Sequence, residues 1–474
     1  MISGVVLMLI LPIAMGGIAY LVMRWRGLAG ILAASTAALL GVMIVTLPVN
    51  EPVQLWGERQ IDLSEPVNVL GRELSLGRPD RLALALLLFS AAGIFLLAWR
   101  ANSQPLLFPI GLGMLSLLSF ALLIRPLIYG ALFIQIAIAL SVLALQPEGE
   151  PATRGGLRYL AFSLLALPGI LVTHWLLDRY ALSPHDTSLL SAAAVLLAIS
   201  FALLLGIVPF HTWVAAVARD SEPLSSAFVL LVTNGAIWFL LLDFLETYRW
   251  LSEHPNFSTV VFSAGLAMVV LGGLIAAAQR RVGSVMGYAA LVDSGATLIA
   301  LSLSNQLGLT LVFLSLLMRP FGMILLGAGL TWLRRRGTDS LDSLRGAVWR
   351  TPWATVAMLV GGLSVAGFPV SAGFIWRWAL YRALASSSDI GAVGLVLLAG
   401  GGIIVGFGRT LSAVLTRTET SDSLPSSAPT RQERWLDTAV IALAVLGCVA
   451  VGLFPQVIAP IAGQLAANFT FFGP

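Results

Sequence analysis

The stretch PWATVAMLVGGLSVAGFPVSAGFIWRWALYRALA, residues 352–385, decides the architecture. It is apolar almost throughout and carries two charges, Arg377 and Arg382, with no acid. A bilayer core of ~30 Å takes about 20 apolar residues of helix, so the run is too long for one straight crossing. Pro369 stands in its middle, where a helix loses a hydrogen bond and kinks or breaks. The run therefore reads as a membrane helix interrupted at its centre. SLLSAAAVLLAISFALLLGIVPFHTWVAAV, residues 188–217, has the same form around Pro209.

The composition agrees. Of 474 residues, 58% are hydrophobic and 11% charged, against about 25% charged in a soluble globular protein. Such a chain cannot cover a water-facing surface of this size, which excludes soluble-enzyme folds and disordered scaffolds. The sequence pI near 9.6 is no nucleic-acid signal, because the arginines are scattered over short loops instead of gathered on one face. Cys448 is the single cysteine, so neither a disulfide framework nor a thiolate metal site is expected. The first apolar run, Ile2 to Met23, is long enough to span and is followed by Arg24 and Arg26, unlike a cleaved leader. All 27 basic residues are arginine. Arginine is effectively never deprotonated, whereas a buried lysine can shift its pKa and pass a proton.

Apolar runs give an all-α polytopic membrane protein with about fourteen spans. Residues 1–103 hold three of them and an outer loop, 50–81, whose alternation suggests a small β-hairpin. Two blocks of five helices follow, 104–245 and 257–415, each with a broken helix in fourth place. An odd number of helices per block makes the second inverted relative to the first, as in transporters whose pathway lies near interrupted helices. A polar Ser/Pro-rich linker, 418–435, and a last helix within 436–474, running over 436–468, complete the chain. Loops after odd-numbered spans carry the arginine excess, including Arg24, Arg26, Arg280, Arg281 and Arg334–Arg336. By the positive-inside rule these loops and the linker are cytoplasmic, and both termini lie on the other side, as in an integral protein of a prokaryotic cytoplasmic (inner) membrane.

Several local patterns coincide in order and spacing across residues 100–415: VPFHTW (208–213), SEPLSSAFVLLVTNGAIWFLL (221–241), GYAALVDSG (287–295), RRRGTDSLDSLRG (334–346) and LSVAGFPVSAGFIWRW (363–378). Together they resemble the antiporter-like proton-translocating membrane subunits of respiratory complex I, kin to Mrp-type cation/proton antiporters. The resemblance implies a subunit with no redox centre and no cofactor of its own, whose partners are other membrane-arm subunits and lipids. It also implies half-channels built on a glutamate in the fifth span and lysines in the seventh, eighth and eleventh or twelfth, joined by water. Here those positions have changed. The fifth span has no acid, and Gln135 is the nearest polar residue; it hydrogen-bonds but takes up no charge. The seventh-span lysine position is Leu204, and the eighth span offers Thr233 and Asn234. Arg319 stands within about two residues of the eleventh-span lysine, and Arg377 replaces that of the twelfth.

Asp293 is read as the only carboxylate well inside a predicted span. An intramembrane acid is a functional-site hypothesis by default, and the competing reading is an ion pair with Arg319 or Arg377 that holds the bundle together. In such a pair Asp293 stays ionised and makes a poor proton relay. His211, just past the first break, either titrates near neutral pH or caps freed backbone groups. His174 with Asp178, and Asp243 with Glu246, read as interface anchors, and Arg125 as a short-loop arginine. The ion-path candidates are thus Asp293, His211, Arg319, Arg377 and Gln135.

Two functions from different classes follow. One is a structural or coupling subunit of a complex I-related (NADH:quinone oxidoreductase-like) assembly, its own proton path altered or lost. The other is an active half-channel using Asp293, His211, Arg319 and Arg377, in such a complex, an Mrp-type antiporter, a membrane-bound hydrogenase or an inorganic-carbon uptake assembly. An enzyme in its own right is disfavoured, as no nucleophile triad or nucleotide motif is present.

Overall fold

The computed structural model describes residues 2–48, 53–56, 59–63, 66–69, 71–147, 153–335, 337, 339–386, 390–416 and 435–472. The linker 418–435 lies outside the described residues except for Trp435, which opens the last span. Twelve helices among the described residues are long and apolar enough to cross a membrane: Gly4–Leu21, Arg26–Thr46, Pro79–Arg100, Ile128–Leu145, Arg154–Leu182, Thr187–Leu205, Pro223–Thr247, Phe257–Ala278, Val282–Ser302, Gln306–Arg334, Ile390–Leu415 and Trp435–Leu453. Two shorter apolar helices, Leu107–Leu123 and Pro352–Ala366, take the fourth and twelfth places. With them the order of fourteen spans is complete.

Both long runs are interrupted, and by the same device. The helix Thr187–Leu205 ends on Gly206 with φ 68°, and Pro352–Ala366 ends on Gly367 with φ 77°. Left-handed backbone at these positions favours glycine. The next residue closes each turn by bonding back five positions: Ile207 N–H to Ala202 O at 2.8 Å, and Phe368 N–H to Leu363 O at 2.9 Å. These are Schellman-type caps, which satisfy the orphan carbonyls of a helix end. Pro209 and Pro369 follow two or three residues later and bar continuation. New helices begin at Thr212 and Ala372.

Two expectations need correction. The run 436–468 is not one helix: Trp435–Leu453 stops before Pro455, a 3-10 turn covers Pro455–Val457, and Ala459–Ala467 follows. Pro455 has no N–H to continue the ladder. The loop 50–81 holds two hairpins where one was expected. Val53–Trp56 pairs with Arg59–Asp62, and Val67–Val69 with Arg72–Leu74, all antiparallel. Each hairpin gains a third strand, Ile2–Ser3 for the first and Ile124–Arg125 for the second.

The chain separates into two compact units. The first comprises residues 1–213, 228–257 and 465–474; the second comprises 214–227 and 258–464. Within the first, Phe95 stacks on Phe228 with centroids 5.6 Å apart, and Tyr159 on Trp213 at 4.3 Å. Within the second, the tenth span Val282–Ser302 is the central post: every residue but Tyr288 is buried. The eleventh and twelfth spans cross through small residues. A Cβ on Gly329 would lie 2.7 Å from Ala354 O, and one on Gly361 2.7 Å from Gly322 O. Close backbone approach of this kind is how membrane helices gain packing without a hydrophobic driving force between them.

Candidate functional site

At the middle of the central post, Asp293 meets both arginines named from the sequence. Arg319 Nε donates to Asp293 Oδ2 at 2.5 Å, and Arg319 Nη2 donates to Thr297 Oγ1 at 3.1 Å. Thr297 Oγ1 also bonds Ser315 Oγ at 2.8 Å and donates to Asp293 O at 2.8 Å. Arg377 Nη2 reaches Asp293 Oδ1 at 3.5 Å and Val365 O at 3.1 Å. All three side chains are 4% exposed or less. Each comes from a different helix: Asp293 from the tenth span, Arg319 from the eleventh just before Pro320, and Arg377 from Ala372–Ser386 beyond the second break.

Arg319 and Arg377 oppose a single carboxylate, so the triad carries one net positive charge. The Nε and Nη1 of Arg377 are buried and have no hydrogen-bond partner among the described residues. Beside the triad is a cavity of about 10 Å³ bounded by Asp293, Arg319, Ser364, Gly373 and Trp376. That is room for about one water molecule. Chemically, the arrangement fixes a carboxylate between two permanent cations. It has the geometry of an ion lock.

The other two candidates lie in the first unit. Gln135 is buried and donates from Nε2 to Ser163 Oγ at 3.3 Å, and Ser163 Oγ donates to Leu160 O at 3.0 Å. Leu204 is buried among apolar neighbours. His211 is partly buried in the turn between the two halves of the first broken helix, and its Nδ1 has no hydrogen-bond partner among the described residues. The eighth span departs from α-helix at Val229–Thr233, a π-helical turn. Among the described residues, no group of three or more His, Cys, Asp or Glu is placed to hold a metal.

A second buried charge group was missed. Asp80 opens the third span, where Gly77 N–H donates to its Oδ2 at 2.9 Å; Arg125 Nη2 donates to the same oxygen at 3.2 Å. Asp243 is buried in the same unit, and the charges of Asp80 and Arg125 both act on it. Asp243 thus lies buried within this unit, with the charge of Glu246 also acting on it, where an interface anchor was expected. Glu246 instead accepts from Thr470 N at 2.7 Å, Phe471 N at 3.1 Å and Arg249 Nη2 at 2.9 Å, tying the C-terminal segment to this unit. The available signal was Arg125 itself, alone in a long apolar stretch. His174 and Asp178 lie 3.7 Å apart on an exposed helix face.

The motif 334–346 also has a visible task. Arg334 Nη1 donates to Ser221 O at 2.5 Å and Nη2 to Ala218 O at 3.2 Å, the carbonyls that close the helix Thr212–Asp220. Asp339 Oδ2 accepts from Arg334 at 2.8 Å and from Gly283 N–H at 2.9 Å. A cation at a helix C-terminus and an acid at a helix N-terminus both oppose the helix dipole favourably.

Comparison with known proteins gives a consistent picture. The family described as NADH:quinone oxidoreductase/Mrp antiporter, transmembrane, matches residues 158–402. NADH-quinone oxidoreductase subunit N 2 of Acidobacterium capsulatum is 26% identical over 308 residues, 61% of this chain and 61% of that one. Subunit N of Mycobacterium tuberculosis is 26% identical over 320 residues, 65% of this chain and 57% of that one. The matched stretch thus spans about three fifths of the length of these curated relatives. Among solved structures, a chain of the Mrp complex from Dietzia sp. superposes with a TM-score of 0.74 at 18% identity, covering 98% of this chain and 97% of that one. A chain of respiratory complex I from Thermus thermophilus gives 0.71 at 19% identity, covering 99% and 100%. At these identities the likeness is one of fold.

Proposed function

The chain belongs to the NADH:quinone oxidoreductase/Mrp antiporter transmembrane family, and we propose that it serves in the membrane arm of a complex I-related assembly as a subunit whose own proton path has been altered or lost. The observation that carries this reading is the Asp293 triad. A relay needs a group that alternates between protonated and deprotonated forms. Arg319 and Arg377 do not lose their protons, and both carboxylate oxygens of Asp293 are engaged by them. Gln135 and Leu204, where the resemblance places a glutamate and a lysine, add no titratable group. On this reading the second unit transmits force or holds neighbouring subunits in register while protons cross elsewhere.

The arrangement of two inverted five-helix blocks, 104–245 and 257–415, belongs to the same proposal; its support is the like placement of the two Schellman-capped breaks. So does the placement in a prokaryotic cytoplasmic membrane with both termini outside, supported by the arginine bias of the loops. Gentle purification from the native membrane, followed by mass spectrometry of everything that co-purifies, tests the assembly. Redox and quinone-site subunits in fixed ratio support it. Hydrogenase subunits, further Mrp-type subunits or a zinc-containing carbonic-anhydrase-like partner would move the chain to a different parent complex.

A second reading rests on Asp243. It is buried, and the charges of two carboxylates, Asp80 and Glu246, and one guanidinium, Arg125, act on it. A buried carboxylate in that setting is a candidate proton carrier, which would leave the first unit active while the second is locked. Asp243→Asn distinguishes the two: lost proton flux in an intact assembly favours this reading, and unchanged flux removes it.

A further inference from the structure

The first unit has a cavity of about 350 Å³ at one end of the seventh span, lined by Thr187, Ser191, Trp250, Glu253 and His254. It lies far along the chain from every ion-path candidate, and nothing in the proposed function uses it. Leu190 and Pro255 complete the lining, which is therefore mixed, with its polar groups set in an apolar wall. Trp250 sits in the 3-10 turn Arg249–Leu251, Glu253 N–H bonds Arg249 O at 3.0 Å, and Phe257 N–H bonds His254 O at 2.9 Å. His254 Nδ1 accepts from Asn256 N–H at 3.2 Å, so its remaining proton is on Nε2, which is left as a donor. Thr187 supplies a hydroxyl, while Ser191 Oγ donates to Thr187 O at 3.3 Å and is left as an acceptor. Glu253 is exposed and is the one formal charge in the lining; no arginine is among the lining residues.

What runs away from the cavity matters as much. Residues four apart share one face of a helix, so Thr187, Ser191, Val195 and Ile199 form a single line along the seventh span. The line is hydroxyl at the cavity end and apolar beyond it. Val195 is 58% exposed and Ile199 45% exposed. A singly acidic cup of mixed polar and apolar lining, at the end of an exposed apolar stripe on a membrane span, has the shape of a lipid seat.

We infer that the cavity binds the headgroup of a phospholipid carrying a primary ammonium, with one acyl chain along Val195 and Ile199. The ammonium pairs with Glu253 and can also donate to Ser191 Oγ, the phosphate accepts hydrogen bonds from His254 Nε2 and the Thr187 hydroxyl, and Trp250 packs at the headgroup level where indole rings favour the interface. A lipid with a net negative headgroup is disfavoured, because Glu253 repels it and no cation in the lining compensates. A quaternary ammonium lacks the N–H groups with which to bond Glu253. The inference does not depend on whether the chain conducts protons, and its readout is separate from proton flux.

The test uses the purified full-length chain in detergent, with lipid titrated as phosphatidylethanolamine, phosphatidylcholine or phosphatidylglycerol of the same acyl chains, and the melting midpoint recorded. The ethanolamine lipid should raise the midpoint saturably, on the order of 2 °C more than the choline lipid. Glu253→Gln, at an exposed position, should fold normally and lose that difference. His254→Ala should weaken the response to both zwitterionic lipids. Equal responses of the wild type to all three lipids, a preference for phosphatidylglycerol, or a Glu253→Gln protein that keeps the ethanolamine preference would each overturn the inference.

Discussion

Arg319 and Asp293 form a salt bridge of 2.5 Å in which the two side chains are 3% and 4% exposed. A buried pair of this kind is weak evidence for net stability, but it is strong evidence about what happens when half of it is removed. The surviving charge is left without compensation in a low-dielectric interior.

Asp293→Asn should therefore destabilise the chain by about 3–5 kcal/mol, because it leaves two guanidiniums facing no anion. Replacing Asp293 and Arg319 together should cost less than the sum of the single changes, since the pair is removed as a unit. Thermal melts of the purified wild type, both singles and the double give the coupling directly. Additive effects would mean that the contact has no energetic content.

Arg319→Lys keeps the charge and loses the fork. One guanidinium reaches both Asp293 Oδ2 and Thr297 Oγ1, and a single ammonium on a shorter head cannot make both contacts in that geometry. A loss of about 1–3 kcal/mol is predicted. A lysine variant as stable as the wild type would show that the bidentate reach is dispensable.

Two glycines of the second unit should respond in opposite ways. Gly367 has φ 77° and a Cβ there would strike Arg377 Cδ, so Gly367→Ala should cost at least about 1–3 kcal/mol and disturb the triad. Gly400 lies nearby on the thirteenth span, yet its Cβ would meet only Tyr381 Oη at 3.5 Å and Arg377 Nη1 at 4.0 Å. Gly400→Ala should be neutral or slightly stabilising. Melting midpoints of the two variants, compared side by side, check the contrast.

Arg334→Gln should loosen the end of the helix Thr212–Asp220, where Arg334 holds the carbonyls of Ala218 and Ser221. Faster amide hydrogen exchange at residues 218–226, with unchanged exchange in the tenth span above Val285, is the expected pattern. Uniformly faster exchange would instead indicate a global effect.

Much of this architecture was legible in the sequence because its signals are local. Apolar run length sets the spans, and the two prolines mark the interrupted helices. The prolines mark them only approximately: each helix stops at Gly206 or Gly367, whose left-handed backbone forms the cap, and the proline bars its continuation before a new helix starts three residues on. Pro455 carried the same signal but was read through, inside a run that looked like one span. In the site, the sequence left Asp293 open between an ion-path acid and an ion pair with Arg319 or Arg377, and both arginines reach it. The Asp80–Arg125 pair was signalled only by Arg125, alone in a long apolar stretch; its partner lies in a different element and looks like an ordinary span-end charge. Their partnership is fixed by the packing of those elements, which no local pattern encodes.

On the proposed reading Asp293 is locked by Arg319 and Arg377 and does not carry protons. The most direct test is proton flux into proteoliposomes containing the purified native assembly, wild type or Asp293→Asn, normalised to the amount of intact assembly. The account predicts equal flux per intact assembly, whatever the loss of stability or yield. An intact Asp293→Asn assembly that no longer moves protons, beside a wild type that does, would contradict it.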